Sequence, residues 1–336
     1  MGWTEVDGRP SQAARLLAAS LVGLFGAAFA LAERLRVPAI HSDFSPVWFG
    51  AKALLHHRNP YVLVGPALEF RFSYPLYYPG TALVAAIPFT LLSETVATVT
   101  FIFLSAWLLG YGMTQANWNR IWMIPSASFI IASRAAQWSP LMAAAFFVPS
   151  LGWSLCCKPT IGLAILGSTS QVRLVKLCVG GALLLLGVSL LLLPSWPQEW
   201  LRTIAGNELT SPITRLGGPV LLVSALRLKR PEGRLLLLLA LIPQTSSWYE
   251  GLMPMLVAQS RNEVRFLSLI SSVGYLLQIP LLTGDNYISA HNTGALMVAF
   301  CYLPAAIVVL RKPNEGPAPA LLNWIRRLSL TGIQDT

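Results

Sequence analysis

Long apolar segments recur along the whole chain, separated by short polar connections, and this pattern limits the possible folds more than any other feature. Only 11% of the 336 residues are charged and 54% are hydrophobic, whereas a soluble domain carries about 25% charged residues. A transmembrane β-barrel would instead show segments of about ten residues with alternating hydrophobicity. The sequence therefore predicts an all-α polytopic membrane protein, with one transmembrane domain over 1–312 and a cytoplasmic C-terminal tail over 313–336.

Lys and Arg, which give the chain its net charge of +10, gather in the short loops between apolar segments. These basic loops lie at 173–176, 227–234, 261–265 and 311–327. Cytoplasmic loops of membrane proteins carry such an excess of positive charge. The sequence shows no basic patch interleaved with aromatic residues of the kind that binds nucleic acid. We therefore expect these loops at the cytoplasmic face of a bilayer and no nucleic-acid partner.

Twelve candidate membrane segments follow from the apolar runs. They lie near 13–32, 80–93, 95–113, 119–133, 138–156, 159–170, 174–194, 216–228, 234–243, 250–259, 265–283 and 293–310. Several are shorter than the roughly 20 residues that a straight crossing requires, and prolines such as Pro125 and Pro254 interrupt others. Irregular backbone at membrane depth must be covered by protein or line a water-filled cavity. We therefore expect a bundle of about 10–13 helices, some short or broken, that encloses a cavity.

The stretch 33–79 is the densest polar region of the chain and is expected to form the first extracytoplasmic loop. Ser45 followed by Pro46 predicts a helix start, and apolar residues at helical spacing predict a short amphipathic helix in the membrane interface. The stretch holds five basic residues against three acidic ones, which runs against the orientation bias of membrane loops. A phosphate ligand is one explanation for this charge.

Asp43 lies just before the expected helix start, where the helix dipole favours an ionised carboxylate. Ser45 already fills the cap position, so Asp43 is either a chemical group or a structural residue, as a loop acid or an outer cap. His41, close before it, either pairs with Asp43 or is an ordinary exposed histidine. His56 and His57 are adjacent and would point to different sides of a helix, so the sequence predicts no metal site.

Several short motifs follow one another within residues 12–260. They are SDF (42–44), AKALL (51–55), RNPY (58–61), FSYP (72–75), AAQWSPL (135–141), LGWSLCCKPTIGLAIL (151–166) and PQTSSWYEGLMPML (243–256). In this order they resemble glycosyltransferase family 87, the polyprenyl-phosphate-mannose-dependent mannosyltransferases of the GT-C superfamily. Two glycines of the family pattern are replaced: His57 or Arg58 precedes the Asn-Pro-Tyr segment, and Ala136 precedes Gln137. Tyr249 and Glu250 stand where the family often has a His after the Trp.

The resemblance implies a GT-C-like bundle in the plasma (inner) membrane. It also implies inverting transfer of a hexose, with mannose the first expectation, from a polyprenyl-phosphate donor to a glycolipid or cell-envelope glycan acceptor outside the membrane. Neither a cofactor nor a metal ion is implied. By motif Asp43 is the general base, since the acceptor hydroxyl must lose its proton as it attacks. The departing phosphate requires preorganised positive charge, for which Lys158 and Arg58 are the candidates.

Six further residues are candidates for binding substrate: His41, Tyr61, Tyr74, Gln137, Trp248 and Glu250. Several of these residues, and Lys158 as well, have an ordinary structural alternative. Tyr and Trp also anchor membrane proteins at the interface, a lysine such as Lys158 can extend its charge to a nearby interface, and Glu250 either orients acceptor hydroxyls or forms a salt bridge with a loop arginine.

A transporter or lipid flippase is the main alternative, because broken helices around a cavity suit that class equally. Transporters place ionisable residues near the membrane midplane in paired repeats. Here Asp43, the expected general base, lies in an outer loop, and no internal repeat is visible in the sequence. Glycosyl transfer is therefore the preferred hypothesis. An inactive scaffold or regulator is the third.

Overall fold

A computed structural model describes residues 10–322, with gaps at 39, 206–209, 246 and 283–292, together with residue 324. The described chain is mostly helical, as predicted. Its α-helices are α1 (Gln12–Arg36), α2 (Ser45–Leu55), α3 (Gly80–Ala86), α4 (Glu94–Met113), α5 (Ala127–Arg134), α6 (Ser139–Phe147), α7 (Pro159–Ser168), α8 (Val172–Leu192), α9 (Trp196–Ala205), α10 (Pro231–Leu241), α11 (Arg261–Gln278) and α12 (Gly294–Leu310).

Short 3₁₀ helices supply much of the remaining helical structure. They span Pro60–Val62, Ile87–Leu91, Asn119–Met123, Pro149–Cys156, Pro212–Thr214, Gly218–Arg227, Trp248–Leu252, Pro254–Val257 and Ile279–Leu281. The described strands are β1 (Val64–Gly65) and β2 (Phe70–Arg71), which pair in parallel within the 33–79 stretch. A single π-helical turn, Val298–Tyr302, interrupts α12.

Four helical segments of the described chain are long and apolar enough to cross a membrane: Gln12–Arg36, Glu94–Met113, Val172–Leu192 and Arg261–Leu281. Shorter apolar helices lie at Gly80–Leu91, Pro159–Ser168, Gly218–Arg227 and Gly294–Leu310. The structure thus confirms helices at the predicted apolar runs. Among the twelve runs predicted as complete, short or broken membrane segments, four helices of the described chain reach the necessary length.

The two faces of α1 show how such a helix is used. Leu17, Leu21 and Leu24 form an exposed stripe, which is the arrangement expected of a helix in contact with lipid. The opposite stripe packs against α4, where a methyl group on Gly26 would lie 3.0 Å from the side chain of Ala106. Small residues let the two backbones approach closely, and packing of this kind joins membrane helices.

The basic loops meet at one end of the molecule. The Arg234 guanidinium donates to the carbonyl oxygens of Ser168 and Pro317, both at 3.0 Å. Lys312 Nζ lies 3.1 Å from Glu263 Oε2. These contacts bring the segments 227–234, 261–265 and 311–317 to the same end, as the distribution of positive charge had predicted. Arg326 and Arg327, in the last of the predicted loops, lie outside the described residues.

The opposite end contains the stretch 33–79. There Arg34 pairs with Glu94 at 3.2 Å, and Arg134 pairs with Glu33 at 2.8 Å. The predicted amphipathic helix is present as α2. Ser45 is its first residue rather than its cap, because the Ser45 hydroxyl donates to Glu94 Oε1 at 2.6 Å and no side chain caps the helix.

The segment Gly80–Leu91 begins and ends at this same end of the molecule. Near its start, Thr81 donates to the Cys156 carbonyl at 2.9 Å, and after its end Glu94 binds Arg34. Pro88 converts the helix to 3₁₀ geometry after Ala86. Twelve residues of helix reach only about 20 Å, against a hydrocarbon core of about 30 Å. The helix at the predicted membrane segment 80–93 is therefore shorter than a straight crossing requires.

Candidate functional site

Gln137 lies in the turn between α5 and α6, where the chain reverses sharply. The Ala136 amide donates to the Ser133 carbonyl at 3.1 Å, and the Gln137 amide donates to Ala132 at 2.9 Å. Ala136 has φ of +53°, which completes a Schellman motif at the end of α5. Gln137 follows this motif and is only 3% exposed. Its side chain faces the loop that carries Asp43.

Asp43 is fixed to this turn by two hydrogen bonds. Its backbone amide donates to the Ala135 carbonyl at 2.9 Å, and its Oδ2 accepts from the Gln137 side-chain amide. The other end of the Gln137 amide is its oxygen, Oε1, which lies 3.4 Å from both Lys158 Nζ and the Tyr78 hydroxyl. Because the amide donates on one side and accepts on the other, it joins the carboxylate to the ammonium group.

Lys158 stands immediately before α7, where Pro159 starts the helix. Its Nζ lies 2.6 Å from Glu250 Oε1 and 5.3 Å from the centroid of the Tyr249 ring. The side chain is 14% exposed. A charge held so far from water needs a partner of opposite charge, and Glu250 is that partner.

Glu250 belongs to the 3₁₀ helix Trp248–Leu252, and its side chain has no exposed surface. Oε1 also accepts from Thr245 at 3.1 Å, and the Tyr249 hydroxyl donates to Thr245 at the same distance. The partner of Glu250 is thus Lys158, not a loop arginine. A carboxylate without exposed surface is placed to orient Lys158 rather than to touch a substrate directly.

The electrostatic environment of Asp43 suits a proton acceptor. Burial raises the pKa of Asp43 from its ordinary value of 3.8 to about 6; the Gln137 hydrogen bond and the charge of Lys158 lower it, whereas Glu250 raises it. Burial, together with the negative charge of Asp43, also raises the pKa of the Tyr78 phenol well above its ordinary value. Tyr78 is therefore a neutral donor beside the carboxylate.

Three other candidates lie around this cluster. His41 Nδ1 lies 2.8 Å from Glu94 Oε1, so it pairs with Glu94 and not with Asp43. The Tyr61 hydroxyl donates to the Tyr78 carbonyl at 3.0 Å, and burial raises its pKa. Tyr74 packs edge-on against Phe72, with 5.0 Å between ring centroids, and lies close enough to influence Tyr78 and Tyr249 electrostatically.

Two candidates lie elsewhere. Trp248 is 2% exposed, its indole N–H donates to the Ser271 carbonyl at 3.0 Å, and its ring packs against Tyr275. It is a core residue rather than an outer platform for a sugar. Arg58 is half exposed and paired with Glu69, and it lines a separate pocket beside α2.

The structure therefore brings together Asp43, Gln137, Lys158 and Glu250, which we call the Asp43 cluster. The sequence analysis did not identify Thr245, Tyr78 or Tyr249 as neighbours of this cluster. No signal distinguishes these residues in the sequence, because tyrosines near a membrane surface are common. In the part of the chain that the structure describes, no three His, Cys, Asp or Glu side chains are grouped so as to hold a metal ion.

Comparisons with protein-family models, with curated proteins and with solved structures find no match to this chain. The chemistry of the site is consequently argued from its geometry. A carboxylate with a pKa of about 6 can accept a proton from a hydroxyl group near neutral pH. An ammonium group joined to that carboxylate through the Gln137 amide can stabilise an anion that forms in the same step.

Proposed function

We propose that the protein is a GT-C type membrane glycosyltransferase. It transfers a hexose, with mannose the first candidate, from a polyprenyl-phosphate donor to a glycolipid or envelope glycan acceptor outside the plasma membrane. The observation that carries the proposal is the Gln137 side chain, which joins Asp43 to Lys158. One hydrogen-bonded unit thus contains both a base for the acceptor and a cation for the departing phosphate.

The reaction divides between these two groups. The acceptor hydroxyl oxygen attacks the anomeric carbon from the face opposite the phosphate, and its proton passes to Asp43. The bond between the anomeric carbon and the phosphate oxygen breaks, and its electron pair leaves with the phosphate. Attack from the opposite face inverts the configuration, and the ammonium of Lys158 stabilises the charge that develops on the phosphate.

The hydrogen-bonding capacity of Lys158 fits this role. An ammonium group has three N–H donors; Glu250 and Gln137 take two of them, which leaves a third for a phosphate oxygen. Glu250 and Gln137 hold the ammonium in place, so that little reorganisation accompanies the reaction.

The backbone gives separate support to the family resemblance. The family pattern has glycine where this chain has His57 or Arg58 and where it has Ala136. In the described residues His57 and Ala136 both have φ of +53°, a conformation that glycine adopts at little cost. The replaced glycines thus coincide with left-handed turns.

The proposed topology places the basic end in the cytoplasm and the Asp43 cluster outside. The proposed bundle of about 10–13 membrane helices consists of the four long helices together with shorter and broken helical segments that pack between them. Gly80–Leu91 stays with α2 at the outer surface.

The direct test is transfer by the purified protein from radiolabelled polyprenyl-phosphate hexoses to a crude pool of membrane lipids. We expect labelled product from the wild type and from Glu69→Gln, which removes an outer acid away from the cluster. Asp43→Asn should give none while remaining folded. Wild-type rates from Asp43→Asn would refute the assignment of the base, and movement of labelled lipid across sealed vesicles without transfer would identify a flippase.

A further inference from the structure

The basic residues of the stretch 33–79 differ in how they are neutralised. Arg34, Arg36 and Arg58 each pair with a glutamate. Lys52 is exposed, and the contact that it makes within the described chain is with the ring of Trp48, 4.6 Å from its Nζ to the ring centroid. The bias against positive charge outside the membrane gives no reason for a lysine here.

Lys52 stands at the rim of a pocket of about 360 Å³ on the outer surface of α2. The walls are aromatic: Trp48, Phe49 and Phe70 line them, and the rings of Phe49 and Phe70 stack with 4.7 Å between centroids. The indole N–H of Trp48 donates to the Phe89 carbonyl at 3.1 Å, which fixes this wall. His56 and Arg58 complete the rim.

We propose that this pocket binds the phosphate headgroup of an anionic phospholipid, with the glycerol and upper acyl chain against the aromatic walls. Lys52 supplies charge-assisted hydrogen bonds to phosphate oxygens, and Arg58, whose Nη1 and Nη2 each donate to Glu69, contributes its remaining N–H donors. An inorganic phosphate ion would gain nothing from the apolar walls, whereas an amphiphile buries its apolar part there. The combination of a basic rim and an aromatic interior therefore selects a lipid over a free ion.

The surroundings of the pocket place it at the level of a membrane surface. Leu55, Val62 and Leu68 are 43%, 56% and 41% exposed, and all three lie in the segments that surround the pocket. Exposed apolar side chains beside an aromatic pocket are typical of a lipid or protein contact. Beside a basic rim, the outer layer of the bilayer is the contact whose charge is complementary.

The pocket is separate from the Asp43 cluster. Arg58 pairs with Glu69, and no hydrogen bond or ion pair of the described residues joins Lys52 or Arg58 to Asp43, Lys158 or Glu250. Lipid binding can consequently be measured whether or not the protein transfers a sugar.

The experiment is a thermal-unfolding titration of the purified protein in neutral detergent. Short-chain phosphatidylglycerol, short-chain phosphatidylcholine, polyprenyl phosphate and inorganic phosphate are added separately. We expect phosphatidylglycerol to raise the unfolding temperature in a saturable manner. Lys52→Gln should weaken its apparent affinity about tenfold, as expected for loss of a hydrogen bond from a charged group, and Arg58→Gln should act in the same direction.

Two variants are the controls. Arg202→Gln breaks another exposed arginine–glutamate pair, with Glu199, and Asp43→Asn alters the candidate reaction site; both should retain wild-type lipid affinity. Equal shifts by phosphatidylglycerol and phosphatidylcholine, or unchanged affinity in Lys52→Gln, would overturn the proposal. A shift by inorganic phosphate of the same size would reduce the pocket to an ion site, and a response to polyprenyl phosphate alone would assign it to the sugar donor.

Discussion

His57 and Ala136 have the same backbone conformation, with φ of +53° in each, and among the described residues they are the non-glycine positions with positive φ. Each follows the end of a helix in a Schellman motif. After α2 the His57 amide donates to Leu54 at 3.0 Å and the Arg58 amide to Ala53 at 2.9 Å, the same pattern that Ala136 completes after α5. In both turns a non-glycine residue has a strained backbone conformation. The first turn directs the chain toward Arg58, and the second directs it toward Gln137.

Replacing His57 by glycine should stabilise the protein. The left-handed conformation costs an ordinary residue about 1–2 kcal/mol, and glycine loses part of that gain through the greater freedom of its unfolded chain. We expect an increase of about 0.5–1 kcal/mol in the free energy of unfolding, measured by denaturation in detergent. His56→Gly is the matched control: its φ is −96°, so the same substitution should leave stability unchanged or lower it.

Replacing Asp43 by asparagine should abolish transfer and yet stabilise the fold at pH 7. Asparagine can still accept the hydrogen bond from Gln137, and it removes a charge whose burial raises the pKa to about 6. A raised pKa means that the folded state binds the proton more tightly, so the charged form costs stability above pH 6, on the order of 2 kcal/mol.

The pH dependence checks this sign. The gain in stability of Asp43→Asn over the wild type should be complete above pH 6 and should shrink as the pH falls from about 6 toward 3.8. Below pH 3.8 it should vanish, because Asp43 is then protonated in both the folded and the unfolded state. Transfer by the wild type should decline below about pH 6 as the base becomes protonated. A variant that is less stable than the wild type at pH 7 would contradict the account.

The Lys158–Glu250 pair should show strong coupling in a double-mutant cycle. Lys158→Met leaves a carboxylate without exposed surface and without its cation, which costs about 3 kcal/mol or more. Lys158→Met together with Glu250→Leu removes both charges and should recover most of that loss. Thermal unfolding of the two single variants and the double variant measures the coupling; additive losses would show that the pair is not a structural unit.

Glu94 should control the mobility of the loop that carries Asp43. Its Oε1 lies within 2.8 Å of both His41 Nδ1 and the Ser45 hydroxyl oxygen. Glu94→Gln removes the charge from these bonds, so amide exchange in peptides containing Asp43 should accelerate about tenfold. Hydrogen-exchange mass spectrometry reports the change, with Glu199→Gln as the surface control. Unaltered exchange would mean that the contacts with Ala135 and Gln137 hold the loop without Glu94.

Cysteine labelling should separate the two ends of the molecule. Glu69→Cys is placed on the exposed outer stretch and Lys229→Cys in a basic loop at the other end. A membrane-impermeant maleimide added to intact spheroplasts should label the first variant and reach the second only after lysis, because positive loops remain inside. The reverse pattern would invert the proposed orientation.

The sequence predicts the long helices well because their signals are local. The expected segments 95–113 and 174–194 correspond to Glu94–Met113 and Val172–Leu192, since an uninterrupted apolar run is sufficient to define each. It does not predict that 149–156 and 218–227 are 3₁₀ helices. It also does not predict the contacts that Thr81 and Glu94 make near the two ends of the Gly80–Leu91 segment, because both depend on long-range packing.

The candidate site is predicted as separate residues but not as a unit. Asp43, Gln137, Lys158 and Glu250 each come from a different motif, and nothing in their spacing indicates that one amide joins two of them. The sequence also does not predict that His41 pairs with Glu94 instead of Asp43, because this pairing depends on how α4 packs beside the loop. Trp248 looks like an outer residue by its position in a turn, and only packing against α11 reveals that it is buried.

The long sequence separation of Lys158 and Glu250 has a consequence for how the protein is made. Ninety-two residues separate the two, so at about 5–20 residues per second the glutamate emerges roughly 5–20 seconds after the lysine. Throughout that interval the nascent chain must hold a cation whose permanent counter-ion has not yet been translated. Ribosomes stalled between these codons should therefore expose a lysine that the finished protein hides.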